Sequence, residues 1–232
     1  MQVCRWGTVG NTQTRVRPPT VEVPAVLNQT NARAIAAHVI NPVAGVLVKL
    51  HVSPDVVTVI GTIGVSTGAL LFFPSGQFVL GFIVIFVFVS SDMLDGAMAR
   101  MTGRSGPWGA FLDSTLDRVA DGLVFTALLI WAVRSQSVWT VTAAIICLVG
   151  GMVISYAKAR AEGLNLDCNV GIAERTERLM IALVAALIYG LGVPYVLPAG
   201  LWLLAVLSLI TVGQRMWHVR SQALALPAPT ED

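Results

Sequence analysis

The chain has 232 residues, of which 55% are hydrophobic and only 12% are charged. A soluble domain carries about 25% charged residues, so this composition argues against a soluble globular protein, a disordered chain and a nucleic-acid-binding module. It is typical of a polytopic membrane protein, as is the mean hydropathy of +0.75. The 15 basic and 13 acidic residues give a net charge of only +2, so their positions are more informative than their sum.

The N-terminal part of the chain precedes the first long apolar segment. Residues 1–28 contain arginines and Pro18-Pro19 but no apolar core, so we expect a mobile extension rather than a cleaved signal peptide. Apolar residues recur at helical spacing over 29–50. This pattern predicts an interfacial amphipathic helix bent at Pro42, with a loose apolar linker as the alternative.

Two uncharged stretches, 56–91 and 179–214, each contain 36 residues. A helix of that length would measure ~54 Å, whereas the hydrocarbon core of a bilayer is only ~30 Å thick. Each stretch also contains a Pro/Gly turn signal, so each predicts two spans. Together with the remaining apolar segments, they predict an all-α integral membrane protein with one domain at 51–220 and a disordered tail at 221–232. Its six transmembrane helices are expected at 54–73, 77–102, 107–133, 138–162, 171–192 and 195–219.

The basic residues are distributed unevenly between the two sides of this arrangement. The loops near 74–76, 134–137 and 192–195 hold a single basic residue, Arg134. The other fourteen lie at the termini, in the loop near 103–106 or in the adjoining halves of the spans. By the positive-inside rule, the basic side and both termini are therefore predicted to be cytoplasmic.

Four aspartates lie at the cytoplasmic ends of the second and third predicted spans. Asp92 and Asp95 are three residues apart, and Asp113 and Asp117 are four apart, so each pair shares one helix face. Carboxylates gathered in this way repel one another unless a cation lies among them. Oxygen ligands without His or Cys favour Mg²⁺ or Mn²⁺ over zinc. The pattern therefore predicts a divalent-cation site, in which two ions would leave positions for phosphate oxygens.

Small residues and one arginine separate the two aspartate pairs. Gly96 and Ala99 would let a ligand approach the helix backbone, and Arg100 could hold a phosphate with its guanidinium fork. The full segment, residues 92–117, reads Asp-x-x-Asp-Gly-x-x-Ala-Arg, eight residues, Gly, three residues, Asp, three residues, Asp.

This segment resembles the signature of the CDP-alcohol phosphatidyltransferase family. Every fixed position matches, namely Asp92, Asp95, Gly96, Ala99, Arg100, Gly109, Asp113 and Asp117. The resemblance implies a membrane enzyme, usually homodimeric, that binds a CDP-linked lipid such as CDP-diacylglycerol. It further implies two Mg²⁺ or Mn²⁺ ions held by the four aspartates, with Asp117 also acting as the general base. The CDP-lipid-binding positions implied by the same resemblance are Asp55, Val56, Val57, Thr58, Gly96, Ala99, Arg100 and Gly106.

Basic residues near the cytoplasmic ends of the last three spans suit a phosphorylated acceptor. They are Lys158, Arg160, Arg175, Arg178 and Arg215. Segments 53–58, 154–162, 174–179 and 214–215 resemble the phosphatidylinositol phosphate synthase branch of the family in actinobacteria. That likeness implies transfer of the phosphatidyl group to inositol phosphate, with release of CMP, at the cytoplasmic face of a bacterial plasma membrane. It assigns the acceptor phosphate to Lys158, Arg178 and Arg215, with Arg175 and Arg160 as neighbours.

Several alternatives remain open at this level. Another acceptor, such as glycerol phosphate or inositol, would fit the family signature equally well, and basic residues at span ends also occur for topological reasons. An ion-coupled transporter or a prenyltransferase would also carry intramembrane carboxylates. Two residues beside the signature are expected to act outside the site: Asp121 pairs with a basic residue, and Arg118 faces elsewhere on its helix.

Overall fold

The computed structural model describes residues 40–103 and 106–225, apart from the side chain of Asp92. The predicted extension at 1–28, the first part of the predicted amphipathic helix and residues 226–232 lie outside this part of the chain. The described residues form eight helices and no strand. The helices are α1 (Ile40–Lys49), α2 (Pro54–Phe72), α3 (Phe78–Val89), α4 (Asp92–Thr102), α5 (Pro107–Arg134), α6 (Val138–Glu162), α7 (Arg175–Gly190) and α8 (Val196–Ala225).

Four helical segments are long and apolar enough to cross a membrane, namely Pro54–Phe72, Phe78–Thr102, Val138–Glu162 and Val196–Ala225. The other two predicted spans correspond to α5, which has 28 residues but carries charges in its first half, and α7, which has only 16 residues. The all-helical class is confirmed. The count of six spans and the cytoplasmic placement of the termini stay predictions.

The second predicted span, 77–102, consists of two consecutive helices. α3 ends at Val89, and α4 begins at Asp92 after a turn at Ser90 and Ser91. The hydroxyl of Ser90 donates to the carbonyl of Phe86 at 2.7 Å, and that of Ser91 donates to Phe88. Such local hydrogen bonds compete with the helical backbone pattern. As a result, the signature begins at the start of a helix instead of inside one.

Close packing of α2 against α3 depends on glycines of α2. A Cβ atom built at Gly64 would lie 2.2 Å from the ring of Phe88, and one at Gly68 would lie 2.7 Å from Val84. Side chains at these positions would therefore hold the two helices apart. Small residues allow this kind of approach between membrane helices.

The segment between α6 and α7 is fastened to α8. The backbone of Asp167 is held on both sides by Gln222, which accepts from its N–H at 3.0 Å and donates to its carbonyl at 2.6 Å. Further along the segment, the Ala173 N–H donates to the Thr211 hydroxyl at 3.1 Å. The span predicted at 171–192 begins as a helix only at Arg175, because the backbone is extended at Glu174, the residue that precedes it. α8 in turn continues past 219 to Ala225, carrying Gln222 within it.

Candidate active site

A cavity of about 370 Å³ lies between α2, α4 and α5. Three of the four predicted metal ligands line it: Asp95, Asp113 and Asp117. The fourth, Asp92, is the first residue of α4, and its side chain lies outside the described part of the chain. The helical spacing within α4 and α5 thus brings three signature carboxylates to one cavity.

Asp95 is fixed in place by α2. The hydroxyl of Thr58 donates to Oδ2 of Asp95 at 2.6 Å, and only 8% of Asp95 is exposed. The carboxylate of Asp113 is near enough to repel that of Asp95. Thr58 and Asp95 are 37 positions apart, so helical spacing could not predict this contact.

The donor chemistry of this cavity suits a hard divalent cation. Carboxylate oxygens are the ligands that Mg²⁺ and Mn²⁺ prefer, and a cation would offset the repulsion between Asp95 and Asp113. Among the described side chains, which do not include that of Asp92, no group of three His, Cys, Asp or Glu residues is arranged to hold a metal ion. The three carboxylates thus match the predicted ions in ligand type but not in an arrangement of three that could coordinate a metal.

The predicted CDP-lipid-binding residues separate into two groups. The first group lines the cavity between α2, α4 and α5, which we call the carboxylate cavity after Asp95, Asp113 and Asp117. This group consists of Asp55, Thr58, Gly96, Ala99 and Gly106. The remaining three, Val56, Val57 and Arg100, do not line it.

Helix geometry explains why the two valines lie elsewhere. Residues 54, 55 and 58 share one face of α2, whereas positions 56 and 57 turn away from it. Val56 is exposed, and Val57 packs with Met98 in a small apolar cluster. Arg100 is exposed, but its guanidinium folds back beside Gly96, 3.5 Å from where a Cβ of that residue would lie. Arg100 therefore lies at the edge of the cavity.

Trp108 makes a contact that the sequence did not predict. Its indole N–H donates to Oδ2 of Asp55 at 3.1 Å. This bond joins the first turn of α5 to the first turn of α2 beside the carboxylate cavity.

A second, larger cavity of about 720 Å³ is lined by α5, α6, α7 and α8. Four of the five predicted acceptor residues line it, namely Lys158, Arg175, Arg178 and Arg215. We call it the cationic cavity. The fifth, Arg160, is exposed and does not line it. Two residues turn an α-helix by about 200°, so Arg160 faces away from the side of α6 that carries Lys158.

The two most buried arginines of this cavity differ in their partners. Arg215 donates from Nε to the carbonyl of Val170 at 2.9 Å and from Nη1 to that of Ile154 at 2.5 Å. Arg178 is 2% exposed, and its Nε and Nη1 have no hydrogen-bond partner within the described part of the chain. Buried N–H groups without partners are costly, so the Arg178 guanidinium is suited to receiving an anion.

Arg175 lies at the boundary between the two cavities and lines both of them. Its Nη2 lies 2.7 Å from Oδ1 of Asp117, and its Nε lies 3.2 Å from Oδ1 of Asp121. Arg178 approaches the other oxygen of Asp121 at 3.5 Å. The prediction that Asp121 pairs with a basic residue is confirmed, and it pairs with two.

The prediction that Arg118 faces away from the site is wrong. Arg118 lines the larger cavity, donates from Nη1 to the hydroxyl of Ser155 and lies 3.7 Å from Asp117. The face of α5 next to Asp117 packs against α6, so the long side chain reaches the cavity from there. The helical spacing within α5 does not predict which neighbouring helix packs beside Arg118.

Comparison with known proteins identifies the family. The model of the CDP-alcohol phosphatidyltransferase family matches residues 51–214. The chain belongs to this family. The family resemblance of the signature and the enzyme class that it implied are thereby confirmed.

The similar proteins share one name. The phosphatidylinositol phosphate synthase of Streptomyces avermitilis is 47% identical over 224 residues, covering 93% of this chain and 91% of the relative. That of Cutibacterium acnes is 47% identical over 197 residues, covering 81% and 95%. Both are actinobacterial enzymes, as the resemblance of the basic segments suggested.

Two crystal structures of phosphatidylinositol phosphate synthase from Mycobacterium tuberculosis have similar folds. One has CDP-DAG bound; it is 44% identical, with a TM-score of 0.79, and the match covers 83% of this chain and all of that one. The other, in complex with manganese and citrate, is 44% identical, with a TM-score of 0.77, and the match covers 82% and 93%.

Proposed function

We propose that this enzyme transfers the phosphatidyl group of CDP-diacylglycerol to inositol phosphate, giving phosphatidylinositol phosphate and CMP. The observation that carries the proposal is the position of Arg175, which lines both the carboxylate cavity and the cationic cavity and contacts Asp117. A nucleotide diphosphate in the first cavity and a phosphorylated alcohol in the second would meet at this boundary. The names of the relatives support the same pair of substrates.

The carboxylate cavity would receive the diphosphate of the CDP-lipid. Asp92, Asp95, Asp113 and Asp117 would hold the divalent ions, and we propose two of Mg²⁺ or Mn²⁺. When bound, these ions would neutralise the diphosphate and stabilise charge on the departing CMP. The small residues Gly96 and Ala99 leave the α4 backbone accessible, and Arg100 at the cavity edge can bind a phosphate oxygen.

We propose that Asp117 is the general base. It would accept the proton of the attacking inositol hydroxyl. The hydroxyl oxygen then bonds to the phosphorus that carries diacylglycerol, and the bond from this phosphorus to the CMP oxygen breaks. The new lipid stays in the membrane, and CMP leaves to the cytoplasm.

The cationic cavity favours a phosphorylated acceptor over a neutral one. Four arginines and a lysine line it, against two glutamates, so the side chains around it carry an excess of positive charge, and Nε and Nη1 of Arg178 have no partner within the described part of the chain. Guanidinium groups bind phosphate with two parallel hydrogen bonds. Free inositol offers no such group, so we expect it to be a poor acceptor.

An acceptor competition tests the proposal directly. Purified enzyme with CDP-diacylglycerol and Mg²⁺ is given glycerol phosphate, serine, inositol or inositol phosphate, and CMP release is measured. We expect inositol phosphate to give the highest kcat/KM and release to cease when EDTA removes the metal. A preference for glycerol phosphate would instead assign another acceptor within the family, and activity without any divalent ion would contradict the metal requirement.

The same proposal includes the cellular setting. We propose a multi-pass homodimer in the bacterial plasma membrane, with six spans, both termini in the cytoplasm and the two cavities open to that side. The concentration of basic residues on one side of the predicted spans supports this orientation.

A further inference from the structure

Asp121 is a buried carboxylate that lines neither the carboxylate cavity nor the cationic cavity. It follows Asp117 by one turn of α5, and only 6% of it is exposed. A carboxylate within an apolar helix bundle is unfavourable unless it is paired. Asp121 therefore needs a positively charged partner in order to be stable at this position.

The partners are two arginines from the first turn of α7. Oδ1 of Asp121 lies 3.2 Å from Nε of Arg175, and Oδ2 lies 3.5 Å from Nη2 of Arg178. Arg175 and Arg178 are three residues apart and share one helix face, where like charges repel. One carboxylate with an oxygen toward each guanidinium offsets that repulsion and sets the orientation of both groups.

The surroundings leave little room for water to replace this carboxylate. The space shared by Asp121, Arg178 and Gly151 measures only about 10 Å³, which is at the lower limit for one water molecule. A Cβ atom at Gly151 would lie 2.7 Å from Nη1 of Arg178. The Arg178 guanidinium is thus confined between α6 on one side and Asp121 on the other.

We infer that Asp121 is a positioning residue for the acceptor phosphate. By pairing with Arg175 and Arg178, it fixes the orientation of two guanidinium groups that line the cationic cavity and so sets the affinity for the phosphorylated acceptor without contacting either substrate. This inference rests on the proposed function, because it takes the cationic cavity to be the acceptor site. In this role the charge of Asp121 orients arginines, whereas the signature aspartates are proposed to hold metal ions.

The test is Asp121→Asn, which keeps the size of the side chain and removes its charge. We expect KM for inositol phosphate to rise about tenfold to a hundredfold, as for loss of a charge-assisted hydrogen bond. KM for CDP-diacylglycerol should stay within about twofold. The matched control is Asp167→Asn; Asp167 bonds Asn169 and approaches His218 outside both cavities, and we expect both KM values to stay unchanged.

A second variant covers the case in which Asp121→Asn does not fold. Asp121→Glu keeps the charge but moves the carboxylate by one methylene group, so it should fold and give a smaller rise in KM for the acceptor. Folding is checked by gel filtration in detergent and by binding of CDP-diacylglycerol. A folded variant with unchanged acceptor KM, or with equal rises in both KM values, would overturn the positioning role.

The wild-type enzyme assayed in parallel separates this inference from the proposed function. If it prefers another phosphorylated acceptor, the proposed acceptor is wrong, and the same comparison is made with KM for that acceptor. If it prefers an uncharged acceptor, both the proposed function and the positioning role are overturned.

Discussion

Two of the aspartates that line the carboxylate cavity are held by residues of other helices. Asp95 on α4 accepts from Thr58 on α2, and Asp117 on α5 contacts Arg175 on α7. Ionisable groups inside a membrane are costly unless they are paired or hydrogen-bonded in this way. The pairing places Asp117 between the carboxylate cavity, which it lines, and the arginines of the cationic cavity. This position suits a group that takes a proton from one substrate while the other is held.

Replacement of Asp117 by asparagine tests this role. The amide keeps the size of the side chain but cannot accept the proton, and general bases contribute about 10²–10⁴-fold to rate. We expect kcat for CMP release to fall at least about a hundredfold while CDP-diacylglycerol still binds. Turnover at the wild-type rate would remove Asp117 from the role of base, and Asp167→Asn again provides the control.

Side-chain contacts between helices are the part of the site that the sequence did not predict. The spacing of three and four residues correctly put Asp95, Asp113 and Asp117 in reach of one cavity, because periodicity fixes which residues share a helix face. It does not fix how one helix is rotated against the next. The bonds from Thr58 to Asp95 and from Trp108 to Asp55, and the approach of Arg118 to Ser155, all cross between helices.

At the scale of the helices, hydropathy predicted where apolar segments lie but not where the helices break or begin. Hydropathy located the four long apolar helical segments, since apolar length is what a membrane selects. It did not detect the break at Ser90–Ser91, beside which both hydroxyls bond to backbone carbonyls of α3, or the late start of α7, where the backbone is still extended at Glu174. Both irregularities lie beside the site: one precedes Asp92, and the other precedes Arg175.

The contact of α6 with α7 gives a prediction at this scale. Gly151→Ala would place a methyl group against the Arg178 guanidinium and force it to shift. We expect KM for inositol phosphate to rise several-fold and the Tm to fall, since overpacking costs about 1–3 kcal/mol. The measurements are steady-state kinetics with the acceptor varied and thermal unfolding in detergent.

Gly213→Ala on α8 is the matched control for this substitution. A Cβ atom at Gly213 meets nothing within 4 Å, and alanine is favoured over glycine in a helix by about 1 kcal/mol. Its KM values should therefore remain those of the wild type. A Gly151→Ala enzyme with an unchanged acceptor KM would show that the position of Arg178 does not matter for the acceptor.

In the whole molecule, the charged residues are distributed unevenly between the two ends of the predicted spans. The two cavities collect the aspartates and arginines near one end of the predicted spans. The single basic residue of the loops predicted at the other end, Arg134, donates to the carbonyl of Pro74 at 2.9 Å and so ties two of those loops together. A low content of charge first indicated a membrane protein. Its concentration around two adjoining cavities supports phosphatidyl transfer between a nucleotide-linked lipid and a phosphorylated alcohol.

The most direct test of this account is a product balance. Purified enzyme in lipid vesicles is given CDP-diacylglycerol, inositol phosphate and Mg²⁺, and both the lipid product and CMP are quantified by mass spectrometry. We expect phosphatidylinositol phosphate and CMP in equal amounts, with neither formed when inositol phosphate is omitted. Release of CMP with phosphatidic acid as the only lipid product, or with no dependence on the acceptor, would contradict it.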